Sequence, residues 1–244
     1  EYIALTKKIA RLQEPRDKEQ QKLFEILCLK RQTIIHKAQN KLSVFQEIIR
    51  QELSERGNLK YTLVYTPEGV VSNFDASESE EINEEEEGIK LINEYTKAIS
   101  ALGNKITVRK FVGASQGDER VQMLKDFASG DLQVLTSMKC LDEGVDVPRA
   151  ELAIFCSSTG NPRQFIQRRG RVLRRHPAKE IKGACIYDLV VIPEISEDLD
   201  LKHIERNEIA KELKRVKAFA DLSDNPYDAE RTLKPILDYY ELSI

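Results

Sequence analysis

The feature that most constrains this chain is a series of short apolar runs separated by stretches of helical period. Tyr61-Thr-Leu-Val-Tyr65 is β-branched and aromatic, and Pro67-Glu-Gly69 ends it with a turn. Ile106-Thr-Val108 and Phe111-Val112 bracket a charged pair and lead into Gly113. Leu132 to Thr136, Leu152 to Cys156 and Ala184 to Val191 follow. Between them, Ile89 to Leu102 and Asp118 to Ala128 have helical spacing, and Pro162 marks the start of a helix over Arg163 to Arg174. Strands that alternate with helices predict a parallel α/β sheet rather than a sandwich.

Helical segments flank this core. In residues 1–58, Leu23, Leu27, Ile34, Ile35, Ala38, Leu42, Phe45, Ile49 and Leu53 recur at spacings of three, four and seven, which makes one apolar face. Pro15 breaks the chain before that face, and Gly57-Asn58 stops it. From Pro193 an acidic connector leads into a helix lined by Leu201, Ile204, Ile209, Leu213, Val216 and Phe219, with a second helix over Ala229 to Tyr240. The expected organisation is a helical extension or interdomain connection at 1–58, an α/β domain at 59–192 and a helical tail at 193–244.

Hydrophobic residues make up 41% of the 244 and charged residues 32%, enough for a core inside a highly charged surface. No run approaches the ~20 apolar residues that span a bilayer. Cys28, Cys140, Cys156 and Cys185 form no C-x-x-C pair, which argues against a disulfide scaffold or zinc ribbon and suits a reducing, cytoplasmic setting. The chain starts at Glu1, as expected of a piece of something longer. The net charge of −3 conceals an asymmetry. Asp75 to Glu87 holds eight acids and no base, and is expected to be a solvated loop. Arg163 to Lys182 is strongly basic, so a mildly acidic chain remains compatible with a polyanionic partner.

Three clusters carry chemistry. Phe111-Val-Gly-Ala-Ser-Gln-Gly-Asp-Glu-Arg120 is compatible with nothing more than a strand-to-helix turn capped by Ser115 or Asp118. Val134-Leu-Thr-Ser-Met-Lys-Cys-Leu-Asp-Glu-Gly-Val-Asp-Val-Pro148 opens a buried strand into a turn. There Gly144 allows close backbone approach, and Asp146 can accept ribose hydroxyls or orient an arginine. A nuclease metal site at Asp142, Glu143 and Asp146 lacks a further acid or His at usable spacing. In Gln164-Phe-Ile-Gln-Arg-Arg-Gly-Arg-Val-Leu-Arg-Arg175, Gln167, Arg171 and Arg174 stand at i, i+4 and i+7 on one helical face. Such a stripe suits bidentate phosphate clamping, or ion pairing with the chain's own acids. Arg168, Arg169 and Arg175 lie off the stripe, where nucleic-acid backbone, internal carboxylates and nucleotide are all open partners.

In this order the three clusters resemble motifs IVa, V and VI of superfamily 2 helicases, and Tyr61 to Thr66 resembles their motif IV strand. The resemblance spans Leu59 to Ile192 and looks closest to DEAD/DEAH-type DNA helicases and restriction-enzyme motor subunits. It implies the second RecA-like domain, a mostly parallel sheet flanked by helices, with helical N- and C-terminal extensions. It further implies that Gly144, Asp146 and Gln167 contact ATP and that Arg171 and Arg174 act as arginine fingers on its γ-phosphate. Gly113, Arg120, Ser137 and Arg168 become the expected nucleic-acid contacts. Met138 stands where the family has a threonine, which leaves Ser137 to supply that hydroxyl.

No G-x-x-x-x-G-K-[ST] occurs in the sequence, nor an Asp-Glu-x-His or Asp-Glu-Ala-Asp segment after a hydrophobic strand. The resemblance therefore implies half of an ATPase site, with ATP and Mg²⁺ held mainly by a preceding RecA-like domain. It implies nucleic acid, with DNA expected, as the second partner, and no metal site of the chain's own. A non-catalytic nucleic-acid-binding or scaffold module with the same fold is the rival reading.

Overall fold

In the computed structural model, the described residues are 1–12, 17–38, 40–67, 78–113, 117–138, 147, 149–156, 168–174, 177, 183–195 and 197–243. They form two compact units, residues 36–189 and residues 1–35 together with 190–244.

The larger unit is built on five strands: β1 Thr62–Tyr65, β2 Val108–Phe111, β3 Val134–Ser137, β4 Leu152–Phe155 and β5 Cys185–Asp188. They are all parallel, in the order β2-β3-β1-β4-β5. The three central strands are buried at every position, the expected mark of parallel strands covered on both faces. The edge strands are more exposed, and β2 presents Arg109 and Lys110 to solvent, charges that discourage edge pairing. All five apolar runs of the sequence lie where strands form, because each is too short for a helix and rich in residues that pack on a pleated surface.

Helices α3 (Asn40–Arg56), α4 (Glu78–Ser100) and α5 (Gly117–Ser129) cover the sheet. Phe45, Ile49, Tyr95 and Ile99 from α3 and α4 pack with Val64, Val134, Leu152 and Ile154, which share one face by register. Phe45 and Tyr95 meet edge to face at 4.9 Å. A hydrogen bond of 2.9 Å between the Thr96 and Thr136 hydroxyls ties α4 to β3. On the opposite face, Phe127 of α5 packs edge-on against Tyr61 at 6.2 Å.

The acidic run departs from its expected form. From Glu78 onwards it is the first part of α4 and not a loop. Glutamate is a good helix former, and its charge is favoured near a helix N-terminus, so the run extends the apolar-periodic helix that begins near Ile89.

The smaller unit joins α1 (Tyr2–Arg11) and α2 (Lys18–His36) to α6 (Leu199–Ala220) and α7 (Pro226–Tyr240). The apolar stripe read across residues 1–58 is therefore divided. Leu27 is buried in the helical unit, whereas Phe45 and Ile49 belong to the sheet's core. The interruption lies just before Asn40, a residue type that favours helix starts over helix interiors. Ile209, Leu213, Leu233 and Tyr240 form the second core, between α6 and α7. Asp198 caps α6 by accepting from the Leu201 amide at 3.1 Å and receives Lys7 Nζ from α1 at 2.7 Å. Among the described residues, no helix is long and apolar enough to cross a membrane.

Candidate functional site

The five strands end level. Register places Phe111, Ser137, Tyr65, Phe155 and Asp188 side by side along the carboxyl edge, with their side chains on one face. Adjacent strands β1 and β4 lead onward to opposite edges of the sheet, β1 through α4 to β2 and β4 to β5. In open parallel sheets the crevice outside such a switch point is where ligands bind.

A helical turn at 168–172 stands over this edge. Arg168 is 2% exposed, the largest fully buried side chain described. Its guanidinium lies 5.1 Å from the ring centre of Tyr65, the last residue of β1. Its Nη2 donates to the Met138 carbonyl, just past β3, at 3.3 Å. Arg171 is buried, at 8% exposure, and Arg174 is exposed. The turn closes with the Arg174 amide donating to the Arg171 carbonyl at 3.5 Å, and Arg174 lies beyond the last helical residue. The expected helix over 163–174 therefore stops short of Arg174, and Arg171 and Arg174 do not share one regular stripe. Gln167, Gly144 and Asp146 lie outside the described residues.

The remaining expected contacts also gather at the carboxyl edge, but point inward. Ser137 is fully buried, and its hydroxyl has no hydrogen-bond partner among the described residues. Its carbonyl accepts from the Thr66 amide at 2.8 Å. Arg120, in the first turns of α5, folds back to donate to the Val112 and Gly113 carbonyls at 2.9 and 2.7 Å. Its guanidinium also stacks over Phe111 at 5.5 Å. Arg120 thus clips the strand-to-helix connection, and Gly113 contributes a carbonyl acceptor at an exposed turn. Sequence reasoning missed Tyr65, because nothing in a strand's last residue announces an arginine partner a hundred positions away.

Just past β4 lies the Cys156 thiol, whose complete burial pushes its pKa well above the ordinary thiol range and leaves it inert. No group of three or more metal-ligating side chains converges among the described residues.

The model of the helicase conserved C-terminal domain family matches residues 74–176, which contain most of this edge. Residues 74–176 are thus similar to a helicase C-terminal domain. The chain's five-stranded, all-parallel sheet has the form that the sequence resemblance implies. The domain is 44% identical over 73 residues to the DNA 3'-5' translocase XPB2 of Sulfurisphaera tokodaii, covering 30% of this chain and 16% of that protein. It is also 26% identical over 102 residues to the DEAD-box ATP-dependent RNA helicase FANCM of Arabidopsis thaliana, covering 38% of this chain and 8% of that protein. Among solved structures, the Hef helicase domain of Pyrococcus furiosus aligns over 77% of this chain and 35% of its own, at 23% identity and a TM-score of 0.39. The chain spans less than a fifth of the length of the curated relatives it matches.

Proposed function

We propose that this helicase domain is the arginine-supplying half of an ATP-dependent DNA translocase or helicase. ATP and Mg²⁺ are held by a separate RecA-like domain, and ATP supplies the phosphoryl bond whose cleavage drives the cycle. The observation that carries the proposal is the exposed Arg174, three residues beyond the buried Arg171 and just past a turn whose Arg168 is held at the carboxyl edge of a parallel sheet. An arginine keeps its charge at every working pH and binds phosphate oxygens two at a time.

Arg174 is the side chain that reaches a γ-phosphate across the cleft, and Arg171 follows as the two domains close. Gly144, Asp146 and Gln167 complete the nucleotide-facing wall. The fingers stabilise negative charge that grows during hydrolysis. Loss of the γ-phosphate removes what held them, so the cleft reopens. DNA as the track is in keeping with the name of the Sulfurisphaera relative. Contacts to phosphate rather than to bases make binding sequence-tolerant and salt-sensitive.

Nucleic-acid-stimulated ATPase of the full-length protein, measured beside its Arg174→Ala variant, tests this reading. The expected loss is ~10³-fold or more. Unchanged hydrolysis in the variant removes the arginine assignment. The present chain, with no phosphate-binding loop of its own, is expected to hydrolyse ATP negligibly by itself.

A further inference from the structure

We infer that Arg168 is a positioning residue that pins the arginine-bearing turn to the end of the sheet, and not a ligand of nucleic acid. The inference rests on the motor reading above and adds a residue that acts through Arg171 and Arg174.

Arg168 belongs to the turn at 168–172, yet its side chain runs away from solvent and, among the described residues, touches two other parts of the fold. One is the face of Tyr65, itself fully buried at the end of β1, with 5.1 Å from guanidinium carbon to ring centre. The other is the Met138 carbonyl, 3.3 Å from Nη2, at the start of the segment that leads to Gly144 and Asp146.

Burying a guanidinium is costly unless its charge meets a π face or an acceptor, and here it meets both. A side chain committed in this way cannot also reach a phosphate in solvent. Lysine cannot reproduce it, because a compact ammonium lacks the flat surface that stacks and the fixed fork that donates. The acceptor at position 138 is a backbone carbonyl, so the contact survives the methionine found where the resemblance places a threonine. The result is a three-way junction. One side chain links the end of β1, the exit of β3 and the turn that presents Arg174.

The test uses the full-length protein with the single variants Arg168→Lys, Arg168→Gln, Tyr65→Leu and Tyr65→Phe, the Arg168→Gln/Tyr65→Leu double variant and Arg174→Ala. Steady-state ATPase is measured with saturating single-stranded DNA, and DNA affinity is measured across a salt series. If Arg168 is a pin, Arg168→Lys and Arg168→Gln both lower kcat by about 100-fold, the loss that a misplaced catalytic group produces, with little change in KM for ATP. Tyr65→Leu lowers kcat similarly, the Arg168→Gln/Tyr65→Leu double variant loses little more, and Tyr65→Phe, which keeps the ring, retains the activity. The salt slope of DNA binding stays that of the wild type in every variant.

Two results overturn the inference. One is a salt slope reduced by about 1 in Arg168→Gln but not in Arg168→Lys, which makes Arg168 a phosphate contact. The other is a kcat that Arg168→Lys preserves. Arg174→Ala serves as the reference arm. If it leaves hydrolysis unchanged, the motor reading fails, and the pin is judged from unfolding of the present chain. In that case non-additive stabilities of Arg168→Gln and Tyr65→Leu uphold the junction, and additive ones overturn it.

Discussion

Glu205 offers a prediction whose sign follows from its surroundings. It is 3% exposed, on α6 of the helical unit, in an otherwise apolar row with Leu201, Ile209 and Leu213. Its Oε2 accepts from the hydroxyl of the fully buried Tyr240 at 2.9 Å. Burial pushes the Glu205 carboxyl above the usual carboxylate range, outweighing the hydrogen bonds from Tyr240 and Tyr2 and the charge of Arg31, which pull it down. The folded unit therefore holds a proton that the unfolded chain has already released. Stability contributed at this site is complete below the ordinary carboxylate pKa and declines as pH rises through the raised one, by up to ~1.4 kcal/mol per pH unit within that window. Glu205→Gln cannot ionise but can still accept from Tyr240, so it removes this decline. Urea melts of the whole chain, followed by helical circular dichroism from about pH 4 to about pH 8, give the difference between wild type and variant. That difference should move in the variant's favour as pH rises. A flat difference, or one that favours the wild type at higher pH, refutes the reasoning. Glu205→Ala differs because it leaves the Tyr240 hydroxyl buried without its acceptor, at a cost of about 1–3 kcal/mol at any pH.

Two further substitutions probe the sheet unit. Gly130 has φ +82°, and a Cβ there would stand 2.9 Å from the Tyr61 hydroxyl oxygen, so Gly130→Ala should cost about 1–2 kcal/mol from backbone strain alone. A midpoint of urea unfolding equal to that of the wild type would contradict the assigned turn. Phe45→Ala removes a fully buried ring that packs on Tyr95 and should destabilise this unit by about 3–5 kcal/mol. A loss below 1 kcal/mol in the same measurement would place Phe45 outside the core.

The strands were legible in the sequence because each lies in a short run rich in apolar residues, broken in β2 by the charged pair Arg109-Lys110, and α5 because its apolar positions keep helical spacing. Arg171 and Arg174 were legible as a pair, but their split between buried and exposed positions was not. That split depends on the helical turn ending at 172, whereas the next residue that marks a stop in the sequence is Pro177. Arg168 was illegible for a different reason. Its direction is set by a π face and a carbonyl that only the closed sheet brings beside it. The acidic run was misjudged because a string of like charges suggests solvation, while its helix propensity continues into α4. Glu205 hid inside an apolar stripe, since periodicity counts hydrophobic positions and passes over an acid whose partners, Tyr2 and Tyr240, lie on other helices.

The helical unit is assembled from the two ends of the chain, with the entire sheet unit inserted between its halves. Helices α1 and α2 leave the ribosome about 150 residues before α6 and α7. At the usual synthesis rate of 5–20 residues per second, that delay is roughly 8 to 30 seconds. During this interval α1, which carries the buried Ile9, lacks the helix α6 it packs against, and Arg31 lacks its partner Glu208. Newly made chain is therefore open to mispairing at residues 1–35 throughout that interval, and chaperone capture during translation should be enriched on them.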